Sequence, residues 1–491
     1  MRVRHFKGTE AMGRDSIWKL LFRFSGPAII AQVVNASYNL VDAIFIGRLG
    51  TAALAGVAVG NPLMAIYRAI GVGVGLGAAS LISRLLGAGN KEEADRTAGG
   101  AITTFLIISA VITAIFIWNL DFFLRLFGAD SNVLPLARSY MLVETAFIAL
   151  DFIVLVLVEL VRVGGNPTLA SAAMVTSGVM NCIWDPILGY GWGPFPKMGM
   201  AGFALATSVG RTFALVMLVS YLASGKSVYR FKPSHFIPNF KIAIDIYRVG
   251  VSMTLRMAAG SVSQMIASIT AASFGEMPLA VVGVLFRASG FAFTPCMGLG
   301  QGMLPLVGYN FGAHNKQRVG EVVVKSSVSG FTWGVICWVG AVFASVQMMS
   351  LFSTDPNFLA AASPAFRIFA LGFFTVGLQN ILSFFFQGIG KAFAALVVTS
   401  SRQLLFLIPC LLIMPRIFGV NGLWAAYPVA DALSLALTLV WTGLEFHELG
   451  IPFSLRGAKA VVLKPAIVGV EPVKGSNGGD GSGSDSGTGN S

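Results

Sequence analysis

Gln32, Asn35, Asn39 and Asp42 punctuate an otherwise apolar run at intervals of three, four and three, so on a helix all four project from one face. Ser177, Asn181 and Asp185 form a second stripe at a spacing of four, with Pro186 directly after, and Thr207 and Arg211 make a shorter pair. Two chemistries suit such a set. A carboxylate withdrawn from water takes up and releases a proton closer to neutral pH. Ionised carboxylates joined by amide and hydroxyl oxygens can instead coordinate a hard cation such as sodium. A purely structural reading competes with both, each Asp being tied to an Arg or Asn across helices. Spacing alone leaves open whether Asp42 and Asp185 are neighbours in space. The proline predicts irregular backbone after Asp185, with a carbonyl free to act as a ligand.

The elements that must carry these residues follow from composition. The chain is 55% hydrophobic and 11% charged, whereas soluble domains carry about 25% charged residues. About twelve apolar runs are long enough to cross a bilayer as helices, over roughly 17–47, 53–83, 96–119, 136–162, 167–190, 199–223, 246–273, 278–308, 320–350, 364–389, 393–415 and 421–446. This is the pattern of an all-α integral membrane protein. A charge at the bilayer centre costs at least about 2.5 kcal/mol, so stripes holding Asp42 and Asp185 must face a cavity or another helix.

A net charge of +12 could suggest nucleic acid, but its distribution argues against that partner. Arg14, Lys19, Arg23, Arg84, Lys91, Arg96, the basic residues of 224–245, Lys316, Arg318 and Lys325 collect on one side, with few on the other. This positive-inside bias predicts a multi-pass cell-membrane protein with both termini cytoplasmic. Cys182, Cys296, Cys337 and Cys410 lie in apolar runs without metal or disulfide spacing, and His5, His235, His314 and His447 form no cluster, so neither a metal cofactor nor histidine catalysis is expected. The first run is too long for a cleavable signal, and no small-residue cleavage pattern follows a short core.

Gly87-Ala88-Gly89-Asn90-Lys91 returns as Gly312-Ala313-His314-Asn315-Lys316, a shift of 225 positions. At the same shift Gly73, Gly75 and Gly77 meet Gly298, Gly300 and Gly302, and Gly165 meets Gly390. Two related halves with a site between or within them are the usual build of a secondary transporter. The organisation read from this is a tail 1–14, a six-helix lobe 15–223, a connecting loop 224–245, a six-helix lobe 246–448 and a tail 449–491. Even numbers of crossings make the repeat parallel, about an axis near the membrane normal. Arg456, Lys459 and Lys464 mark a basic stretch suited to the membrane surface, and from about 475 onward the composition predicts disorder.

Several features have bland readings. Gly71, Gly73, Gly75 and Gly77 lack the strand and acid of a dinucleotide site and suit close helix packing. Glu144, Asp151 and Glu159, with Arg162 nearby, read as ion-paired or interfacial, and Arg68, Arg256, Arg287 and Arg402 as their partners or as snorkelling groups. Gln264, and the stripe Gln379, Ser383 and Gln387, are candidates for substrate lining. Most of the 38 phenylalanines face lipid or pack, although a cavity for flat organic cations would recruit a few.

Over about 15–448 the chain resembles the multidrug and toxic compound extrusion (MATE) transporters. The residues concerned are Tyr38-Asn39-Leu40-Val41-Asp42, Gly87-Ala88-Gly89-Asn90, Asn181-Cys182-Ile183-Trp184-Asp185-Pro186, Gly199-Met200-Ala201-Gly202 and Gly419-Val420-Asn421-Gly422. The resemblance implies a V-shaped pair of bundles, no enzymatic activity, no cofactor, a monomer in the bilayer, and antiport of organic cations or other amphipathic drugs against inward proton or sodium flow. It is greatest to the DinF-like and archaeal branch, which implies coupling-ion roles for Asp42 and Asp185, with Asn181 matching the neighbouring amide and Thr207 a match on the sixth helix. Gln32, Asn35, Asn39 and Ser177 would complete a polar network, and Asp42 and Asp185 would ligate Na+ if sodium is the ion. The NorM-like branch uses acids on the seventh and tenth helices; here those positions offer Arg256, Gln264, Gln379 and Gln387, so no carboxylate cation site is expected in the second lobe. Two other classes remain: a lipid-linked oligosaccharide flippase, for which Arg68, Arg256 and Arg287 would supply a basic cavity, and an intramembrane enzyme, which would need a convergent nucleophile and base.

Overall fold

The computed structural model describes residues 7–452. The basic stretch around Arg456, Lys459 and Lys464 and the tail read as disordered lie outside the described residues, as does His5. Seven helices are long and apolar enough to cross a membrane, and two bent pairs bring the number to nine. Pro167–Tyr190 and Phe240–Ala272 fall short of that measure of apolarity but are two further helices of spanning length. A non-helical backbone at Gly419 divides Ala392–Leu449 in two, which gives the twelve spans expected.

We number them in chain order. The first lobe holds α1 (Ile17–Gly47), α2 (Thr51–Gly87), α3 (Lys91–Trp118), α4 (Leu134–Ala146 with Ile148–Val163), α5 (Pro167–Tyr190) and α6 (Met200–Ala223). The second holds α7 (Phe240–Ala272), α8 (Glu276–Gly312), α9 (Lys316–Phe343), α10 (Pro356–Ala370 with Phe373–Ile389), α11 (392–418) and α12 (420–449). The repeat extends to the bends, 48° in α4 and 44° in α10. Several boundaries differ from expectation: α3 starts at Lys91 rather than about 96, and α10 at Pro356 rather than about 364. α7 starts at Phe240, inside the segment read as connecting loop, because the Asn239 side chain accepts from the amides of Lys241 and Ile242 and caps it. α9 ends at Phe343, and Ser345–Ser350 forms a separate short helix.

The lobes press together at the end that carries the basic loops. Bare helix backbones make this approach possible: a Cβ on Gly87 would lie 1.9 Å from the Tyr309 carbonyl oxygen, and one on Gly312 would lie 2.0 Å from that of Arg84. Arg84 and Tyr309 are themselves related by the shift of 225, so the contact is its own image under the pseudo-two-fold. Gly73 and Gly77 of α2 likewise pack on α7, while Gly298 and Gly302 of α8 pack on α1. The glycine run is thus a helix-packing face. Ser25 Oγ donates to the Leu299 carbonyl at 3.2 Å, and Thr254 Oγ1 to that of Ala69 at 3.0 Å. The segment between the lobes is tied down by His235 and Lys232, both on Glu92 of α3.

Candidate functional site

The polar stripes of α1 and α5 converge because two glycines let three helices touch. Gly178 of α5 receives the Tyr38 ring of α1, and a Cβ on Gly210 of α6 would sit 2.4 Å from the Ser177 carbonyl oxygen. Asp42 shares a cavity wall with Thr207, and Asn181 links Thr207 to Asp185, so the two carboxylates belong to one polar network. Asn181 holds the arrangement: its Nδ2 donates to Asp185 Oδ1 at 3.1 Å and to Thr207 Oγ1 at 3.2 Å, and Thr207 in turn donates to the Phe203 carbonyl. Asp185 and Asn181 are buried. Three acceptor oxygens here, Asp42 Oδ1, Asn181 Oδ1 and Asp185 Oδ2, have no hydrogen-bond partner.

Asp42 and Thr207 also line a cavity of about 300 Å³ with Asn39, Asn61, Arg68 and Glu144. Behind it Tyr67 donates to Glu144 Oε2 at 3.2 Å and to Asp151 Oδ2 at 3.3 Å. Arg211 pairs with Asp151 and lies 3.8 Å from Glu144. The bend in α4 separates Glu144 from Asp151 and lets both reach Tyr67. Glu159 pairs with Arg162 one turn away. These acids are ion-paired, yet Glu144 also faces the cavity, and Arg211, read as half of a short stripe, is the counter-ion of Asp151.

Of the remaining polar candidates, Asn35 accepts through its carbonyl from Asn39 Nδ2 at 2.6 Å. Gln32 and Ser177 extend the stripes of α1 and α5 away from the cavity, whose lining includes neither. α5 runs unbroken through Pro186, correcting the expected irregularity. The proline still leaves the Cys182 carbonyl without its usual i+4 donor.

In the second lobe Gln264 lines a chamber of about 330 Å³, and Gln379 and Ser383 border an adjoining crevice. Gln387 stands apart, its carbonyl accepting from Ser80 where the lobes meet. Arg256 Nη1 donates to Asn380 Oδ1 at 2.7 Å, and Arg402 pairs with Asp431 at 2.5 Å, so neither partners the acids of the first lobe. Asp431 is a buried second-lobe carboxylate on α12 that the sequence reading passed over. Its signal was there to be read: Asp431, Ser434, Thr438, Thr442 and Glu445 follow at intervals of three, four, four and three within the run 421–446, and all five are buried. Among the described residues, no group of three or more His, Cys, Asp or Glu could hold a metal ion.

The MatE family model matches the chain twice, over 27–187 and 253–412. The multidrug export protein MepA of Staphylococcus haemolyticus is 25% identical over 93% of this chain and 98% of its own length. MepA of Staphylococcus aureus is 25% identical over 87% and 94%. Among solved structures, an outward-facing multidrug resistance MATE family transporter superposes with a TM-score of 0.85 at 24% identity, covering 90% of this chain and 99% of that one. A MOP superfamily transporter from Pyrococcus furiosus gives 0.84 with the same identity and coverage. With each lobe matched by the family model and the whole two-lobe fold shared with solved members, the chain belongs to the MatE family of transporters.

Proposed function

We propose that this chain is a cation-coupled multidrug exporter of the cell membrane, in which Asp42 and Asp185 bind the coupling ion within the first lobe. The three unpartnered acceptor oxygens of Asp42, Asn181 and Asp185 carry the reading. Two like charges held close in a dry bundle repel, and a shared proton or sodium ion relieves that repulsion. The donor set is all oxygen, two carboxylates with an amide and a hydroxyl, and it suits either ion. With the basic loops inside, the closed end of the lobes is cytoplasmic, and the cavity at Asp42 belongs to an outward-facing state. Ion entry from outside would repack the network around Asn181 and Thr207, favour drug release, and reset the inward-facing state. Coupling arises from the differential affinity of ion and drug for the two states, because a ligand that binds both equally drives nothing.

The test is uptake of a fluorescent organic cation into proteoliposomes under a pure pH gradient or a pure sodium gradient. Transport under one gradient identifies the ion. Asp42→Asn should abolish gradient-driven transport in folded protein; retained coupled transport would sink the assignment.

A further inference from the structure

The connector between the lobes reaches down to membrane depth. Its 3₁₀ turn Pro233–Phe236 packs on α3: a Cβ on Gly99 would lie 2.6 Å from the His235 carbonyl oxygen, and Thr103 Oγ1 donates to the Phe236 carbonyl at 2.9 Å. Thr103 stands seven residues beyond Arg96, the last charge before the apolar run of α3. At a rise of 1.5 Å per residue that is about 10 Å along the helix, the depth to which interfacial segments sink towards the acyl chains. Apolar side chains stand there without protein cover. Ile237 is 66% exposed, and Phe240, which opens α7, is 82% exposed.

Beside them lies a cavity of about 330 Å³ with Arg96, Ser234, His235 and Asn239 in its wall. No acidic side chain lines it among the described residues. Glu92, outside the wall, meets three basic groups: Lys232 Nζ at 3.1 Å, His235 Nε2 at 3.2 Å and Arg96 Nε at 3.8 Å. One carboxylate against three such groups leaves the cavity positive. His235 is the most telling of them. Its side chain is 1% exposed and lines the cavity, yet Nδ1 has no hydrogen-bond partner, and a buried polar atom in that state calls for a ligand or an ordered water. Between the Glu92 carboxylate and a second anion the ring takes the imidazolium form, in which both nitrogens donate. The Asn239 side-chain oxygen already accepts from the amides of Lys241 and Ile242. The donors left for a ligand are Arg96, Ser234 and His235.

We propose that this cavity holds the phosphate of an anionic phospholipid from the leaflet at the basic end of the lobes. Arg96, Ser234 and His235 donate to the phosphate oxygens, while Ile237 and Phe240 lie among the acyl chains. Lys226, Arg230 and Lys241 of the same segment add the diffuse positive field that draws anionic headgroups to a membrane-facing loop. A free phosphate would find the same donors, but the uncovered apolar pair beside them favours a ligand that carries chains. The site lies outside the cavities of both lobes and does not depend on the export reading.

Energy transfer from the tryptophans of the full chain to phosphatidylglycerol labelled with nitrobenzoxadiazole on an acyl chain, in mixed micelles, reads the bound lipid. Unlabelled dioleoylphosphatidylglycerol, dioleoylphosphatidylcholine and inorganic phosphate are the competitors. Against wild-type protein, phosphatidylglycerol should displace the probe at a lower mole fraction than phosphatidylcholine, and inorganic phosphate should leave it bound. Arg96→Gln, at an exposed side chain that the fold does not need, should weaken phosphatidylglycerol about tenfold, the scale of one charge-assisted hydrogen bond. His235→Gln should weaken it as well. Lys316→Gln removes a charge at the same end of the lobes but away from the cavity, and should change nothing. Three results would each overturn the inference: no preference for phosphatidylglycerol in wild type, equal effects of Arg96→Gln and Lys316→Gln, or displacement of the probe by inorganic phosphate, which would give the cavity to a free anion.

Discussion

Asn181 is the residue on which the proposed ion site turns, since one amide group reaches both Asp185 and Thr207. Its Nδ2 holds Asp185 in place, while its Oδ1 has no hydrogen-bond partner and is free to ligate. Asn181→Leu removes both, and hydrogen bonds to charged groups contribute about 1.5–3 kcal/mol. The readout differs with the ion. If protons couple, the pH of half-maximal transport should move by about one unit or more. If sodium couples, the sodium concentration for half-activation should rise about tenfold or more. Transport with unchanged dependence on both ions would remove Asn181 from the site. Asp42, Asn181 and Asp185 stood out in the sequence because polar groups in an apolar run are expensive. Tyr67 did not: a buried tyrosine resembles any packing aromatic until its hydroxyl is seen between Glu144 and Asp151.

At the scale of elements, α11 and α12 are tied by the Arg402–Asp431 pair, with both side chains largely buried, and by a Ser401–Ser434 hydrogen bond. Removing one partner of such a pair costs about 3–5 kcal/mol, because the other charge is left uncompensated. Arg402→Met should therefore lower the melting temperature in detergent sharply. The double change Arg402→Met with Asp431→Leu should recover most of the loss. Equal destabilisation by the single and the double change would show that packing, not charge, sets the cost. The sequence marked Arg402 as needing a partner but gave no means of choosing among distant acids. The π-helical turn that precedes Ile408 was equally hidden, since its residues are ordinary helix formers.

For the whole molecule, the self-paired contact of Gly87 with Tyr309 and of Gly312 with Arg84 defines which end of the cleft is shut. If export proceeds by rocking of the lobes, this contact must open in each cycle. Cysteines at Ser80 and Gln387, which already carry side chains where the lobes meet, in a chain whose four native cysteines are replaced by alanine, should cross-link. Linked protein should lose transport and regain it on reduction. Undiminished transport by fully cross-linked protein would exclude opening at this end.

The sequence by itself determined the solvent, the number of spans, the repeat and the residues that needed a reason to be in a membrane. Each follows from local facts: apolar runs of bilayer length, a constant shift of 225 between like segments, and polar side chains at helical spacing. Only the tertiary structure decided who faces whom. It set Asp42 on one cavity with Thr207, gave Arg211 to Asp151 and Arg402 to Asp431, and set Gln387 at the contact between lobes, away from the chamber. Partners across helices depend on the depth and rotation of each helix. Those are fixed where glycines let backbones touch, a property of pairs of helices that no single run of residues contains.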